Sequence, residues 1–467
     1  MLDLSDVHKF YDYKEQHRQI SGKVYIGCQL IDGVDINVKK LQDICRKIMS
    51  IHKQLCVQVT DTHKAYLLDI NELNFDDFVF LSDEYDSIED PSFVEYLLKD
   101  PPNNGKSNIP LWRLIYFEKM NYLVFNFGHC FLDGMSAVIF LNFVLDSLNG
   151  KPLAPLDFSM FENYVSDKSL LQCGIVDLYP RPDYSILDKL NVLKNECFEV
   201  IIEPFIFKMI KAYPKLLEYN YFRRYNRLYD SGVSPQSCNY VNSFHCMNIS
   251  SSDTKKLIKI SKLLDTTLNS LLLALLSISS PKINNDYPIN AKFNIPINMR
   301  PHLLKGDMAG LGANLIALAI SSTQITTPSF KLENFLNKDS LDMNEVKKFI
   351  GDLDPLIKKG IAESISMDTY SIASYYKHDL DRLVAERPSI DFELSNLGLF
   401  KHPLVKDVCF NQGLEPMNYM NISAIGGVNG TNISFMWYNS VHDYSKQRVV
   451  MFEKLVDTLI KQNIDDI

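Results

Sequence analysis

The chain has 467 residues, more than one ordinary hydrophobic core organises, so its length points to two domains. Hydrophobic residues make up 46% and charged residues 22%, as in a soluble globular protein, and a net charge of -9 without a basic stripe argues against a nucleic-acid binder. Nine cysteines with no C-x-x-C pair, behind an N-terminus without a secretory apolar stretch, lead us to expect free thiols in a reducing cytoplasm.

In chain order, residues 4–20 are polar with scattered aromatics and read as a short helix. Residues 23–30 (KVYIGCQL) read as a strand, and Asp35 or Asn37 then caps a helix to about residue 55. Strands are expected at 56–60 and 65–70, a short apolar run at 78–81, and a helix at 92–98. LWRLIYF at 111–117 and YLVFNF at 122–127 form an expected hairpin. A helix that is apolar nearly all round follows from Asp133 to about Leu148, which marks it as buried, and Gly150, Pro152 and Pro155 end it.

Regularity is lost over 151–235. A long connection at 151–190 precedes a helical stretch at about 195–224, in which aromatics mix with Lys208, Lys211, Lys215, Arg223 and Arg224. That mixture suits either a membrane-surface contact or a crossover packed on the protein itself, and Pro204 and Pro214 interrupt any long amphipathic helix.

A second α/β unit begins near Asn242. It starts with a strand at 244–249, a helix at 253–264 capped by Ser251 or Ser252, and an apolar helix at 268–278 capped by Asp265, Thr266 or Thr267. Strands are expected at 291–297 and 315–320, separated by a glycine loop at 310–314 that lacks the third glycine of a dinucleotide site. A polar helical excursion over 324–350 comes next, then a strand at 391–394, a hairpin of 421–425 with 432–437, and a final helix at about 445–461 with Val449, Phe452, Leu455, Val456 and Leu459 inward. No uninterrupted apolar run approaches the ~18 residues that span a bilayer.

The stretch with chemistry in it is 121–150, where a strand ends at Gly128 and His129 follows at once. His129-x-x-x-Asp133-Gly134 then joins strand to helix. A histidine at the mouth of a strand suits proton transfer, since its ordinary pKa lies near neutrality. Asp133 stands where a helix cap belongs, so cap and packed loop histidine are the bland alternatives. A second match, His8 to Asp12, lacks the glycine and follows no apolar strand, and we set it aside. Cys130 inside the motif raises a thiol nucleophile, but adjacent side chains on an extended segment point apart. His442-Asp443 is assigned to the loop before the last helix.

Five features stand in order along the chain. They are the histidine motif, Asn298-Met299-Arg300-Pro301, the glycine loop at 310–314, Ser395-Asn396-Leu397-Gly398, and the 432–437 strand with the terminal helix. From about residue 4 to 460 this succession resembles the chloramphenicol-acetyltransferase-like superfamily. Within it, the chain looks most like the fungal alcohol O-acetyltransferase and sphingoid-base-analogue N-acetyltransferase group. The resemblance implies an α/β fold of two chloramphenicol-acetyltransferase-like subdomains with mixed sheets and a tunnel between them. The expected division is an N-terminal subdomain with the motif at 1–190, a helical crossover at 191–240 and a C-terminal subdomain at 241–467.

What the resemblance implies for function is an acetyl-CoA-dependent acetyltransferase, of a detoxifying kind and without a metal, acting on the amine or hydroxyl of an amphiphilic, sphingoid-base-like acceptor. His129 is then the general base, and Asp133 is structural, paired with an arginine. Condensation-domain relatives carry that arginine just after the first long helix; here the place is held by Cys56, leaving Arg300 or Arg113. Gly134, Asn298, Arg300, Ser395 and Asn396 are the expected substrate- or cofactor-binding residues. Asn298, Ser395 and Asn396 suit either an oxyanion and channel-lining role or plain turn capping. Arg300 suits a CoA phosphate or an aspartate, and Lys292, Lys305, Lys358, Lys359 and Lys377 are the cations available for a basic rim. The expected partners are acetyl-CoA and a small acceptor, with the chain a cytoplasmic monomer in peripheral contact with the endoplasmic reticulum membrane. The alternatives are an ester-forming O-acetyltransferase, a catalytically inactive binding module of the same fold, and a condensation enzyme working on carrier-bound substrates.

Overall fold

The structure is a computed structural model. It describes residues 2–3, 11–12, 22–60, 64–99, 108–153, 205–206, 209, 212–213, 215–216, 242–280, 288–302, 316–337, 340–366, 390–414, 418–439 and 442–462. The calls on the 151–190 connection, the crossover helix, the loop at 310–314, Lys305 and Lys377 lie wholly or largely outside these residues.

Two sheets organise the molecule. The first-half strands are β1 (Leu2–Asp3), β2 (Lys23–Leu30), β3 (Val57–Val59), β4 (Lys64–Leu67), β5 (Val79–Ser82), β6 (Trp112–Phe117) and β7 (Tyr122–Gly128). Then come β8 (Asn242–Ser250), β9 (Lys292–Asn298), β10 (Ile320–Thr326), the two-residue pair β11 (Leu336–Asn337) and β12 (Ser340–Leu341), β13 (Phe392–Leu399), β14 (Val405–Gln412), β15 (Met420–Gly426) and β16 (Gly430–Tyr438). The first large sheet has the order β14-β2-β7-β6-β5 and the second β10-β9-β13-β15-β16-β8. Both are mixed: β5 and β6 are parallel in the first, and β13 runs parallel to β9 and β15 in the second.

Helices flank the sheets. In the first half these are α1 (Val38–Ile51), α2 (Pro91–Lys99) and α3 (Gly134–Leu148); α1 and α3 cover one face of the first sheet, and α2 packs on the opposite face with Tyr25, Val124, Cys409 and Met436. In the second half they are α4 (Ser251–Leu263), α5 (Leu268–Ile278), α6 (Met343–Ser366) and α7 (His442–Lys461). Alternation explains the layering. Val24, Ile26, Cys28 and Leu30 of β2 pack with α1 and α3 in one core, while Phe392 and Leu394 of β13 pack with α5 and α7 in another. The odd residues Glu393, Ser395 and Leu397 turn the other way, towards the first sheet. Among the described residues no single helix is long and apolar enough to cross a membrane, and the most apolar one, α5, is buried in the second core.

Several boundaries differ from the sequence reading. Helix α4 is capped by Ser250, whose hydroxyl accepts from the Asp253 amide at 3.1 Å, one residue earlier than expected. The polar excursion resolves into the end of β10, a short helical turn at Leu332–Asn334, the β11–β12 pair and α6, which begins only at Met343. His442 and Asp443 open α7 and are not loop residues. The apolar run expected as a strand at 315–320 is irregular over 316–319, and the strand starts at Ile320. Strand β14 was not expected at all. It leaves the second half of the chain and pairs antiparallel with β2 of the first, Phe410 opposite Ile26. Ser434 Oγ donates to Phe410 O at 2.7 Å and Asn421 Nδ2 to Gly413 O at 2.7 Å, which ties β14 back to the second sheet.

Candidate functional site

The site forms where β7 ends. Strand β7 pairs antiparallel with β2, Gly128 opposite Lys23, and the next amide, that of His129, donates to Gly22 O at 3.0 Å. The chain then turns through two buried residues, Cys130 and Phe131, into α3. Cys130 is 1% exposed and packs with Val57, Val59, Leu111 and Leu318, so its thiol faces a small core.

Asp133 caps α3 with extended backbone, φ -123° and ψ 176°, and accepts from the Ser136 amide at 2.8 Å. The same carboxylate takes a bidentate grip from Arg300, Nη1 to Oδ2 at 2.8 Å and Nη2 to Oδ1 at 2.9 Å. The Ala319 amide donates to Oδ2 at 2.8 Å. Both side chains are almost wholly buried, at 3% and 2% exposure. Burial pushes the Asp133 carboxyl up, but the charge and hydrogen bonds of Arg300, with the Ser136 and Ala319 amides, outweigh it and hold the group below its ordinary value. Asp133 is therefore fixed as an anion and fully engaged. The other candidate arginine, Arg113, is committed elsewhere, donating to Asn126 Oδ1 at 2.9 Å and Tyr96 O at 3.2 Å.

This arrangement explains why 316–319 is no strand. Ala317 N donates to Ser136 Oγ at 3.0 Å, Ala317 O accepts from Arg300 Nη2 at 2.8 Å and from Ser136 Oγ at 2.7 Å, and Ala319 N serves Asp133. These peptide groups are satisfied by side chains instead of a ladder.

His129 itself is half-buried and lines a cleft between the two sheets. The cleft encloses about 920 Å³, counting the part open to solvent. Its apolar wall includes Val24, Met135, Ile297, Ile320, Leu397 and Phe410. Lys23, Glu393, Gln412 and Ser395 supply polar groups, and Gln412 Nε2 donates to Glu393 Oε1 at 3.1 Å. Gly134 and Met135, the first residues of α3, also reach the cleft, so the positive end of that helix dipole is turned to it.

The expected site residues are brought together, but not in equal roles. His129, Asp133, Gly134, Asn298, Ser395 and Asn396 all line the cleft. Arg300 is 3% exposed and bound to Asp133, which takes it away from any CoA phosphate. Asn298 Oδ1 accepts from the Arg300 amide at 3.1 Å and from Nη1 at 3.3 Å, so this side chain holds the arginine. Asn396 Oδ1 accepts from the Gly398 amide at 2.9 Å and its Nδ2 donates to Asn269 at 3.2 Å, which makes it a turn-capping amide. Ser395 presents its side chain to the cleft. Lys358 and Lys359 are exposed on α6, and neither they nor Lys292 line the cleft; among the described residues the lysine that does is Lys23.

Sequence reasoning missed Tyr11, Lys23, Glu393 and Gln412. The alternation of β13 places Glu393 with Ser395 on one face, and that signal could have found Glu393. Tyr11 carries no such signal. Its ring stacks on His129, centroids 4.6 Å apart and planes inclined by 18°. Among the described residues no group of three or more His, Cys, Asp and Glu is placed to hold a metal ion.

Family models and curated proteins give no match to this sequence. Solved structures do. The trichothecene 15-O-acetyltransferase TRI3 from Fusarium sporotrichioides superposes with a TM-score of 0.63 at 11% identity, covering 97% of this chain and 95% of that one. The EpoB cyclization-docking bidomain from Sorangium cellulosum gives 0.59 at 10% identity over 99% and 84%. The condensation domain of the Monacolin K polyketide synthase MokA gives 0.55 at 12% identity over 98% and 96%. The chain thus has the two-lobed, mixed-sheet α/β fold of chloramphenicol-acetyltransferase-like and condensation-domain proteins.

Proposed function

We propose that the protein is an acetyl-CoA-dependent acetyltransferase that moves an acetyl group to the amine of an amphiphilic, sphingoid-base-like acceptor, with His129 as general base. The observation that carries this reading is the placement of the His129 ring on the wall of an open cleft between the sheets while Asp133 is locked onto Arg300. The imidazole is the cleft-lining group whose ordinary pKa suits taking and returning a proton near neutral pH. The acceptor nitrogen attacks the thioester carbonyl, a C–N bond forms and the C–S bond breaks. His129 takes the proton from the attacking amine and passes it to the departing CoA sulfur. The Ser395 hydroxyl and the amino end of α3 are the available dipoles for the developing oxyanion.

The cleft suits these partners. Its apolar side chains match a slender thioester arm and an acyl chain. Glu393, held by Gln412, supports an acceptor whose head group donates hydrogen bonds, as an amino alcohol does. A hydroxyl acceptor needs the same base, and the likeness to an O-acetyltransferase favours testing that second reading beside the first. The test follows thiol release from acetyl-CoA with a panel of long-chain amino alcohols, amines and alcohols, and identifies products by mass. Acetylated amine with His129-dependent thiol release supports the reading. Acetate ester alone moves the protein to the second reading, and no transfer to any acceptor leaves an inactive module of the same fold.

A further inference from the structure

Tyr11 belongs to the short stretch His8 to Asp12, which imitates the histidine motif in sequence but lacks its glycine. Its ring is 7% exposed. One side packs in the cluster formed by Val57, Val59, Leu111, Cys130, Phe131 and Leu318. The ring also lies nearly parallel to the His129 imidazole at a centroid distance of 4.6 Å, and it contributes to the wall of the same cleft. On another side the imidazole meets Phe127 in an edge-on contact, 6.4 Å between centroids and 67° between planes. Among the described residues, these two aromatic rings flank the histidine, and Tyr11 is the one that offers it a face.

A stacked ring does two things to such a histidine. It restricts rotation about χ2, so the nitrogens keep one direction in the cleft. It also places the negative face of a π system against the imidazole, which favours the charged ring over the neutral one. A general base becomes charged at the moment it accepts its proton.

We infer that Tyr11 is a positioning residue for His129, holding the ring in its working plane and stabilising the imidazolium formed when the acceptor's proton is taken. This rests on the reading of His129 as general base. Among the described residues, the other ionisable groups around the cleft are Lys23 on β2, Glu393 on β13, and Asp133 at the start of α3 with its partner Arg300 just beyond β9. Substitution of Tyr11 leaves all of them in place, so a change in the titration of His129 reports on the stacked face.

The experiment compares Tyr11→Phe and Tyr11→Leu with the wild type. Phenylalanine keeps the face and loses only the hydroxyl, and its kcat should stay within about twofold. Leucine fills similar space without a π face. Its kcat should fall by about 10-fold, the size of one lost ring–cation contact, with the KM for acetyl-CoA little changed. The acid limb of kcat/KM should move to lower pH, because the imidazolium has lost a stabilising partner. Titration of ¹³C-labelled His129 by NMR should show the same downward shift, and that readout needs no turnover. A Tyr11→Leu protein whose His129 titrates as in the wild type overturns the inference. So does a Tyr11→Phe protein as impaired as Tyr11→Leu. Full turnover in His129→Ala instead overturns the underlying reading of the base, whichever way the Tyr11 variants behave.

Discussion

His129 and Asp133 sit four residues apart in one loop, yet the structure gives them opposite environments. The histidine borders a cleft and the aspartate is buried on Arg300. Two predictions follow from that contrast. His129→Ala should lower acetyl transfer by about 10²–10⁴-fold with the melting temperature nearly unchanged, since a half-buried ring at a cleft carries little of the fold. Asp133→Ala should cost both activity and stability. Removing one partner of a buried, hydrogen-bonded pair leaves Arg300 uncompensated, at about 3–5 kcal/mol. Thermal melting of the two variants side by side checks the division, and equal, small shifts would contradict it.

The same pair has a pH signature. Because the folded state holds the Asp133 carboxyl below its ordinary value, the stabilisation is complete above the ordinary carboxylate range and is lost as pH falls through the lowered folded value. Urea unfolding at a series of acidic pH values should therefore show wild type losing an increment that Asp133→Asn never had. Parallel pH curves for the two proteins would refute this. Only part of the pairing was readable in sequence. The two residues are 167 positions apart, and local pattern offered Arg113 on equal terms. What decides between them is β9, which delivers Arg300 beside α3, while β6 turns Arg113 towards Asn126 and Tyr96.

At the scale of elements, strands written as nearly continuous apolar runs and helices with a clear cap were legible: β2, β6, β7, α3, α5 and the inner face of α7 fall where the residues put them. Two elements escaped for physical reasons. In β14, VKDVCFNQ, the polar residues Asn411 and Gln412 are buried because they serve contacts between the sheets, so the apolar–polar pattern is broken. The 316–319 segment is apolar enough for a strand, but its peptide groups are spent on Ser136, Arg300 and Asp133. Tyr11 lay in a stretch with no readable period at all.

Helix α3 and strand β13 meet closely at the cleft. A Cβ added to Gly134 would stand 2.7 Å from Leu397 Cδ2, and β13 kinks just beyond, with Gly398 at φ 74° and a register shift between Asn396 and Leu399. The clashing atom is the far end of a half-buried side chain bordering the cleft, so Gly134→Ala should cost only about 1 kcal/mol, at the low end for overpacking. Its larger effect should be on acceptor KM, because Leu397 is part of the cleft wall. Adding Leu397→Ala should recover part of the loss. A double-mutant cycle with strictly additive effects would show that the contact does not govern the site.

At the scale of the whole molecule, the two halves are joined by more than a surface. Strand β14 belongs in sequence to the second half and in space to the first sheet. The Asp133–Arg300 pair spans the same division, and Asn432 Nδ2 reaches across to Asp407 Oδ1 at 3.0 Å. Breaking either half exposes an unpaired sheet edge and a buried charge, so the full chain should unfold in a single cooperative transition. Calorimetry that resolves two transitions would place the boundary between independent domains. For the cleft, this joining ties its two walls together, as the proposed reaction, which brings an acceptor and a thioester to one base, requires.

The proposed reaction turns most directly on the proton that His129 would take. The measurement is CoA thiol release, paired with product mass, for wild type and His129→Ala given acetyl-CoA and a long-chain 2-amino-1,3-diol. The account predicts acetylated amine from the wild type and a loss of about 10²–10⁴-fold in the variant at an unchanged melting temperature. Equal rates from the two proteins, both folded, would contradict it.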